Sequence, residues 1–332
     1  MPTIPGNKFV VVGGASLLGS HLADQLLAAG AASVTLMDNL ALGSTNNIEG
    51  PLSDDRCTFV RGDITRLNEL YDPLSGAAGV FLVAGFLTAP MAANPWMGLD
   101  VNVRGLQNVL EACRYQGVRK VIFSSTSGVY GEQSEGVTDE NTPLRWDNAP
   151  PALILYCASK ILGEGLGRLY QQNYGLDFVA LRYSGMYGER QHKRAMDATR
   201  IVEAFDRVRS GQPPIIVGDG APLQDYVYAG DVARANLLAM ESAATGVGIN
   251  IASGVATSQR RIIELVVQAC GSDLKPEFRE APNPNSAPYR ATSSMSIDAA
   301  EQVLGWEPTV SIEEGIRRLV AWLDEERIAA AS

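Results

Sequence analysis

The apolar positions in the first half of the chain fall into short runs separated by amphipathic stretches. Phe9 to Val12 is rich in β-branched residues and stops at Gly13. Leu17 to Ala29 then repeats apolar positions at helical spacing and stops at Gly30, a C-cap signal. Val34 to Met37, Thr58 to Val60, Val80 to Val83 and Val118 to Phe123 follow as further short runs. A long helical pattern, about Met97 to Tyr115, lies between the last two. Short apolar runs without alternation suit strands buried on both faces. Strand and helix in repeated succession predict an α/β fold, a doubly wound parallel sheet with right-handed crossovers. A helix over Leu153 to Tyr174 and a strand over Phe178 to Leu181 continue the rhythm. Pro213-Pro214, Gly218-Asp219-Gly220 and the proline-rich stretch Pro276 to Pro288 then break it, which predicts a smaller, less regular C-terminal lobe.

Composition narrows the function classes. At 332 residues the chain is long enough for about two domains or one large α/β domain, and for a core that needs no staples. Its 27 Lys and Arg stand against 37 Asp and Glu, a net charge of −10 that disfavours nucleic acid and anionic membranes as partners. The four cysteines (57, 113, 157, 270) have no metal-type spacing, and two histidines, His21 and His192, are too few for a histidine metal site, so no metal is expected. Unpaired cysteine spacing suits a reducing cytoplasm. Neither a signal peptide nor a membrane-length apolar stretch is expected.

The first strand runs into Gly13-Gly14-Ala15-Ser16-Leu17-Leu18-Gly19, which opens the first helix. This is the context a dinucleotide loop needs. Gly13 makes the tight turn, Gly19 allows close packing, and the helix N-terminus offers free N–H groups to a pyrophosphate. Asp38 ends the second strand 19 residues after Gly19, where a carboxylate holds adenosine ribose hydroxyls. It would repel a 2′-phosphate, so NAD is expected rather than NADP. Asp63, in Gly62-Asp63-Ile64, reads as an adenine contact, as an N-cap for a helix over Arg66 to Tyr71, or as both.

Tyr156 and Lys160 stand four apart on one helix face. Ser124-Ser125-Thr126 directly follows a strand, placing Thr126 at the carboxyl end of the sheet, where such folds bind ligands. A free tyrosine titrates at about 10 and is a poor base at neutral pH. A neighbouring ammonium stabilises its phenolate, and Thr126 can share the same substrate oxygen. Cys157 reads as a small packing residue.

These motifs resemble the extended short-chain dehydrogenase/reductases of the NAD-dependent nucleotide-sugar epimerase/dehydratase type, the UDP-glucose 4-epimerase-like members in particular. The resemblance also runs through Met37-Asp38-Asn39-Leu40, Asn102, Val129-Tyr130-Gly131, Leu181-Arg182-Tyr183, Tyr187-Gly188, Gly218-Asp219-Gly220 and Leu304-Gly305-Trp306-Glu307-Pro308. It implies a Rossmann NAD domain over 1–184, with returns of the chain at about 225–252, and a substrate lobe mainly over 185–332. It implies NAD contacts from Gly13, Ser16, Leu17, Leu18, Gly19, Asp38, Asn39, Asp63, Ile64, Ala84, Gly85, Asn102, Ser124, Tyr156, Lys160 and Tyr183. It implies 4-epimerisation through a transient 4-keto sugar, with Tyr156 as base, Lys160 tuning it and Thr126 orienting the hydroxyl. It also implies homodimers formed through the helices at Met97 to Tyr115 and Leu153 to Tyr174.

Relatives that dehydrate carry an acid pair where this chain has Ser127 and Gly128, which points to an isomerase. Three positions depart from the family pattern. Ser16 replaces a loop glycine, and its hydroxyl could donate to a phosphate. Gly185 replaces an asparagine and Gln224 an arginine, both of which grip the substrate diphosphate. Arg290, or the cluster Arg190, Lys193 and Arg194, is a candidate replacement, although a short basic run is more often a solvated loop. The departures also admit a net dehydrogenase or reductase acting on a non-nucleotide polyol or hydroxy acid.

Overall fold

The computed structural model describes residues 1–131, 136–146, 149–191, 199–280 and 294–331. The chain begins β1 (Lys8–Val12), α1 (Leu17–Ala28), β2 (Ser33–Asp38), α2 (Glu49–Leu52), β3 (Cys57–Arg61), α3 (Tyr71–Leu74) and β4 (Gly79–Leu82). It continues α4 (Thr88–Ala93), α5 (Pro95–Leu99), a π-helical turn (Asp100–Gly105), α6 (Leu106–Gln116), β5 (Lys120–Thr126), α7 (Pro151–Tyr174), β6 (Asp177–Tyr183) and β7 (Gly185–Tyr187). The remainder is α8 (Thr199–Arg209), β8 (Ile215–Val217), β9 (Leu223–Tyr228), α9 (Ala229–Glu241), β10 (Val247–Ile251), β11 (Ala256–Ser258), α10 (Gln259–Ala269), β12 (Glu277–Arg279), α11 (Asp298–Leu304) and α12 (Ile312–Ala331).

Seven strands form one parallel sheet in the order β10-β6-β5-β4-β1-β2-β3. Two buried layers cover its faces. Val11, Phe81, Ile122 and Leu36 pack with α1, α9 and Trp306 on one side. Val10, Val12, Leu82 and Phe123 pack with Leu106, Val109 and Leu110 of α6 on the other. Burial on both faces explains why these strands read as unbroken apolar runs. A smaller sheet, β11-β9-β7, and a strand pair, β12-β8, lie outside the main sheet. A third core there joins Tyr187, Ile216, Tyr228, Ile263 and Leu319.

Strand order reverses between β1 and β4, so their carboxyl ends diverge into the crevice where open α/β sheets bind ligands. The chain leaves α1 through Ala29 and Gly30, the latter at φ +82°, as the stop signal predicts. Two local expectations change. Ser124-Ser125-Thr126 does not follow the strand but forms its last three residues, because β5 pairs with β6 as far as Thr126 opposite Tyr183. The helix expected over Arg66 to Tyr71 is a 3-10 turn, Leu67–Glu69, followed by the single turn α3.

Candidate active site

The β1-to-α1 turn is built for close backbone approach. Gly13 has φ +90°, and a Cβ there would lie 2.6 Å from the Ala84 nitrogen. A Cβ on Gly19 would lie 2.3 Å from the Gly13 carbonyl oxygen. Gly19 therefore lets the first turn of α1 fold onto the loop itself and stands behind the cleft lining. Ser16 caps α1. Its hydroxyl donates to the Gly13 carbonyl at 2.7 Å and accepts from the Gly19 N–H at 3.1 Å. The hydroxyl hydrogen is thus used inside the loop in this structure, while Ser16 still lines the cleft. The departure from glycine is repaid as a helix cap.

Gly13, Ser16, Leu17, Leu18, Asp38, Asn39, Asp63, Ile64, Ala84, Gly85, Ser124, Thr126, Tyr156, Lys160 and Tyr183 all line one cleft, as expected of them together. Asp38 ends β2 and lines the cleft there. Its Oδ2 accepts from the Ala15 N–H at 3.0 Å and its Oδ1 from the Leu40 N–H at 2.8 Å. Burial raises its carboxyl above the ordinary range, partly offset by these bonds. Each oxygen keeps a lone pair for a ribose hydroxyl. Asp63 is not the N-cap of a helix. Its Oδ1 takes the N–H and hydroxyl of Thr65 at 2.9 and 2.8 Å, and its Oδ2 faces Asn39 Nδ2 at 3.4 Å.

Asn102 stands one layer behind the lining, on the π-helical turn. Its Oδ1 accepts from the Phe86 N–H at 2.7 Å, and its Nδ2 donates to the Phe86 carbonyl at 3.0 Å and to Ser159 Oγ at 3.1 Å. It ties the exit of β4 to α7. The lining also includes Gly43, Phe86, Ser184, Arg190 and Gln191, and Asn47 anchors its floor by donating to the Ala15 carbonyl at 3.0 Å. Gly43 and Asn47, turn formers just after the second strand, were the available signal. Phe86 had none beyond its place after a strand.

At the other end of the cleft, α7 carries Tyr156 and Lys160 one turn apart. Lys160 is buried, and its Nζ donates to the Ser124 carbonyl at 2.8 Å and lies 5.9 Å from the Tyr156 ring centre. Burial pulls its ammonium down to about 8. Tyr183 meets Ser124 Oγ at 3.3 Å and donates to Asn236 Oδ1 at 3.1 Å, and burial pushes its phenol up to about 12. Thr126 Oγ1 accepts from the Gly128 N–H at 3.1 Å, which leaves its own hydrogen for an oxygen in the cleft. Asp38 and Asp63 are the only carboxylates among the described lining residues.

Ser127 follows in the 3-10 turn Ser127–Tyr130 and lies outside the lining. Gly185 and Gln224 lie on β7 and β9, also outside it, although Ser184 and Met186 on either side of Gly185 line the cleft. Arg290, Lys193 and Arg194 lie outside the described residues.

The profile described as the NAD dependent epimerase/dehydratase family matches residues 9–252, which span the glycine loop, Tyr156, Lys160 and six of the seven main-sheet strands in full. The chain belongs to this NAD-dependent epimerase/dehydratase family. A UDP-glucose 4-epimerase of Mycolicibacterium smegmatis is 32% identical over 316 residues, covering 94% of this chain and 97% of that protein. Among solved structures, the Thermotoga maritima UDP-glucose 4-epimerase with UDP-glucose is similar at TM-score 0.85 and 30% identity, covering 96% and 99% of the two chains. The Thermus thermophilus UDP-glucose 4-epimerase complex with NAD is similar at TM-score 0.82 and 32% identity, covering 96% and 99%. Membership settles NAD as the cofactor, and the cleft fits it: a glycine cradle at one end, a free-lone-pair carboxylate at the ribose position, and the Tyr156–Lys160 pair at the other end. Among the described residues no helix is long and apolar enough to cross a membrane, and no acidic, histidine and cysteine group could hold a metal.

Proposed function

We propose that the chain interconverts 4-epimers of a UDP-type nucleotide sugar and leaves no net redox change. The observation that carries this reading is the distribution of acids and bases along the cleft. Tyr156, Lys160 and Thr126 converge at one end, while both lining carboxylates lie at the other. A dehydratase needs an acid and a base at the reacting carbons to lose water. Ser127 and Gly128 supply neither, and a Cβ on Gly128 would lie 2.9 Å from Cys157 Sγ.

Thr126 donates its hydroxyl hydrogen to the sugar oxygen and orients it. Tyr156 takes the proton from that hydroxyl. Lys160, buried one turn on, lends positive charge that favours the phenolate. NAD held along this cleft would supply the hydride acceptor and donor, and inversion requires the keto sugar to turn its other face to the cofactor between the two transfers. Tyr156 then gives the proton back. The Rossmann part over 1–184 and about 225–252 holds NAD in this reading, and the rest of 185–332 mainly holds the sugar nucleotide. Four free, buried cysteines support a cytoplasmic setting. An apolar face on α7 supports a homodimer, as argued below.

Incubation with UDP-glucose, UDP-galactose and their uronic acid forms tests the proposal, with epimers resolved by chromatography and NADH followed by absorbance. Interconversion without NADH accumulation is expected. Tyr156→Phe should lower turnover by about two to four orders of magnitude, the range of a positioned acid–base group. Stoichiometric NADH with no epimer would sink the proposal. It would favour instead a net dehydrogenase or reductase of a polyol or hydroxy acid.

A further inference from the structure

Arg190 is a candidate cation for the substrate diphosphate on sequence grounds, yet it lies along the cofactor helix. It follows β7 and Gly188, and its Nη1 donates to Oδ2 of Asp24 on α1 at 2.6 Å. Neighbouring contacts hold this turn without Arg190. His21 Nε2 meets the Glu189 carbonyl at 3.2 Å, Tyr228 donates to Glu189 Oε2 at 2.7 Å, and the Gly188 N–H reaches Gln191 Oε1 at 3.4 Å. Arg190 itself has φ +69°, a left-handed conformation that side-chain-bearing residues seldom adopt. Strained backbone persists where its surroundings over-determine it, and it clusters at ligand clamps.

Charge balance gives that clamp an object. The described lining holds two cations, Lys160 and Arg190, and Lys160 is committed to the Ser124 carbonyl beside Tyr156. The N-terminus of α1 adds roughly half a positive charge. A dinucleotide diphosphate carries two negative charges, and the chain that must receive it has a net charge of −10. Arg190 is therefore the one full cation of the described lining on the α1 side of the cleft. Asp24 and Leu17 share a face of α1 about 10 Å apart, a span that an arginine pivoting on a fixed Cα can sweep.

We infer that the Arg190 guanidinium is shared between Asp24 and the diphosphate of the bound dinucleotide, and that it sets how tightly the cofactor is kept. The inference rests on NAD as cofactor, not on the identity of the sugar.

Binding of NAD, ADP-ribose and adenosine to the full-length protein and to Arg190→Ala, Arg190→Lys and Asp24→Asn tests it, read by calorimetry or ligand-observed NMR at low and high salt. Loss of a charge-assisted bond predicts that Arg190→Ala binds NAD and ADP-ribose about tenfold or more weakly, with a shallower salt dependence. Adenosine, which has no phosphate, should bind unchanged. Arg190→Lys should recover part of the loss, and Asp24→Asn should bind NAD at least as tightly as the parent. Unchanged NAD binding in Arg190→Ala, an equal loss for adenosine, or weaker binding in Asp24→Asn would each overturn the inference. If the parent protein bound no NAD, the cofactor reading itself would fail.

Discussion

Gly185 and Gln224 read from sequence as two separate departures, but in the fold they meet. A Cβ on Gly185 would lie 2.6 Å from Gln224 Nε2 and 3.1 Å from the Asp225 carbonyl oxygen. The missing side chain at 185 makes room for the amide at 224. Gly185→Ala should therefore cost about 1–3 kcal/mol by overpacking. Adding Gln224→Ala should return much of that loss, a non-additivity of about 1 kcal/mol in denaturant unfolding. Additive losses would show that the two positions are independent. Lys160 gives a second prediction at this scale. Its ammonium falls from an ordinary 10.5 to about 8 because it is buried. Between those values the unfolded chain holds a proton that the folded chain has shed, so stability rises with pH across that window. Below about 8 both states are protonated and the full penalty applies, about 3 kcal/mol at ~1.4 kcal/mol per unit. Apo protein should gain stability relative to Lys160→Met from pH 8 to 10.5, and a flat difference would refute the burial argument.

Helix α7 is joined to the sheet by a buried polar network as well as by packing. Glu164 accepts from Arg182 of β6 through both carboxylate oxygens, at 3.0 and 2.7 Å, and from Ser125 Oγ at 2.7 Å. Arg182 also donates to Tyr130, which donates to Asn250 on β10. The network thus fixes the helix bearing Tyr156 and Lys160 against the strand bearing Thr126. Glu164→Ala leaves Arg182 buried without its counter-charge and should cost about 3–5 kcal/mol, with Glu164→Gln milder because a hydrogen-bonding carbonyl remains. Denaturant midpoints decide, and a loss under 1 kcal/mol would mean that water replaces the carboxylate. Such elements differ in how plainly the sequence announces them. Strands buried on both faces are local apolar runs, so β1, β2, β4, β5 and β6 were legible to within a few residues, and the more exposed edge strand β3 through the shorter run Thr58 to Val60. Tyr156, Lys160 and Asp38 were legible because spacing along one element already fixes their geometry. The π-helical turn carrying Asn102, the Ser16 cap of α1, and the Arg190 contact with Asp24 were not. Each depends on which distant segment arrives alongside, and no local pattern encodes that.

At the scale of the whole molecule, the outer face of α7 is unusually apolar for a surface. Ile161, Leu162, Leu166 and Leu169 line an open groove with Trp146, floored by Gly165, where a Cβ would meet nothing within 4 Å. Beside it, α5 carries Trp96, which is 70% exposed, and Leu99. Contiguous apolar patches of this kind mark an interaction surface. Two observations favour a second copy of the same chain as its occupant. The residues recur at helical spacing along a 24-residue helix, as an antiparallel helix pair about a two-fold axis requires. The groove also lies on the far side of α7 from buried Lys160, so pairing would cover it without closing the cleft. Light scattering at micromolar concentration should give twice the chain mass. Leu162→Glu with Leu169→Glu places two charges on each side of the seam, and like charges brought together there should release monomers. These monomers should keep their circular dichroism and their NAD affinity, since neither leucine lines the cleft. A parent protein that is monomeric, or a double variant that stays dimeric, would move the interface to another face of the molecule.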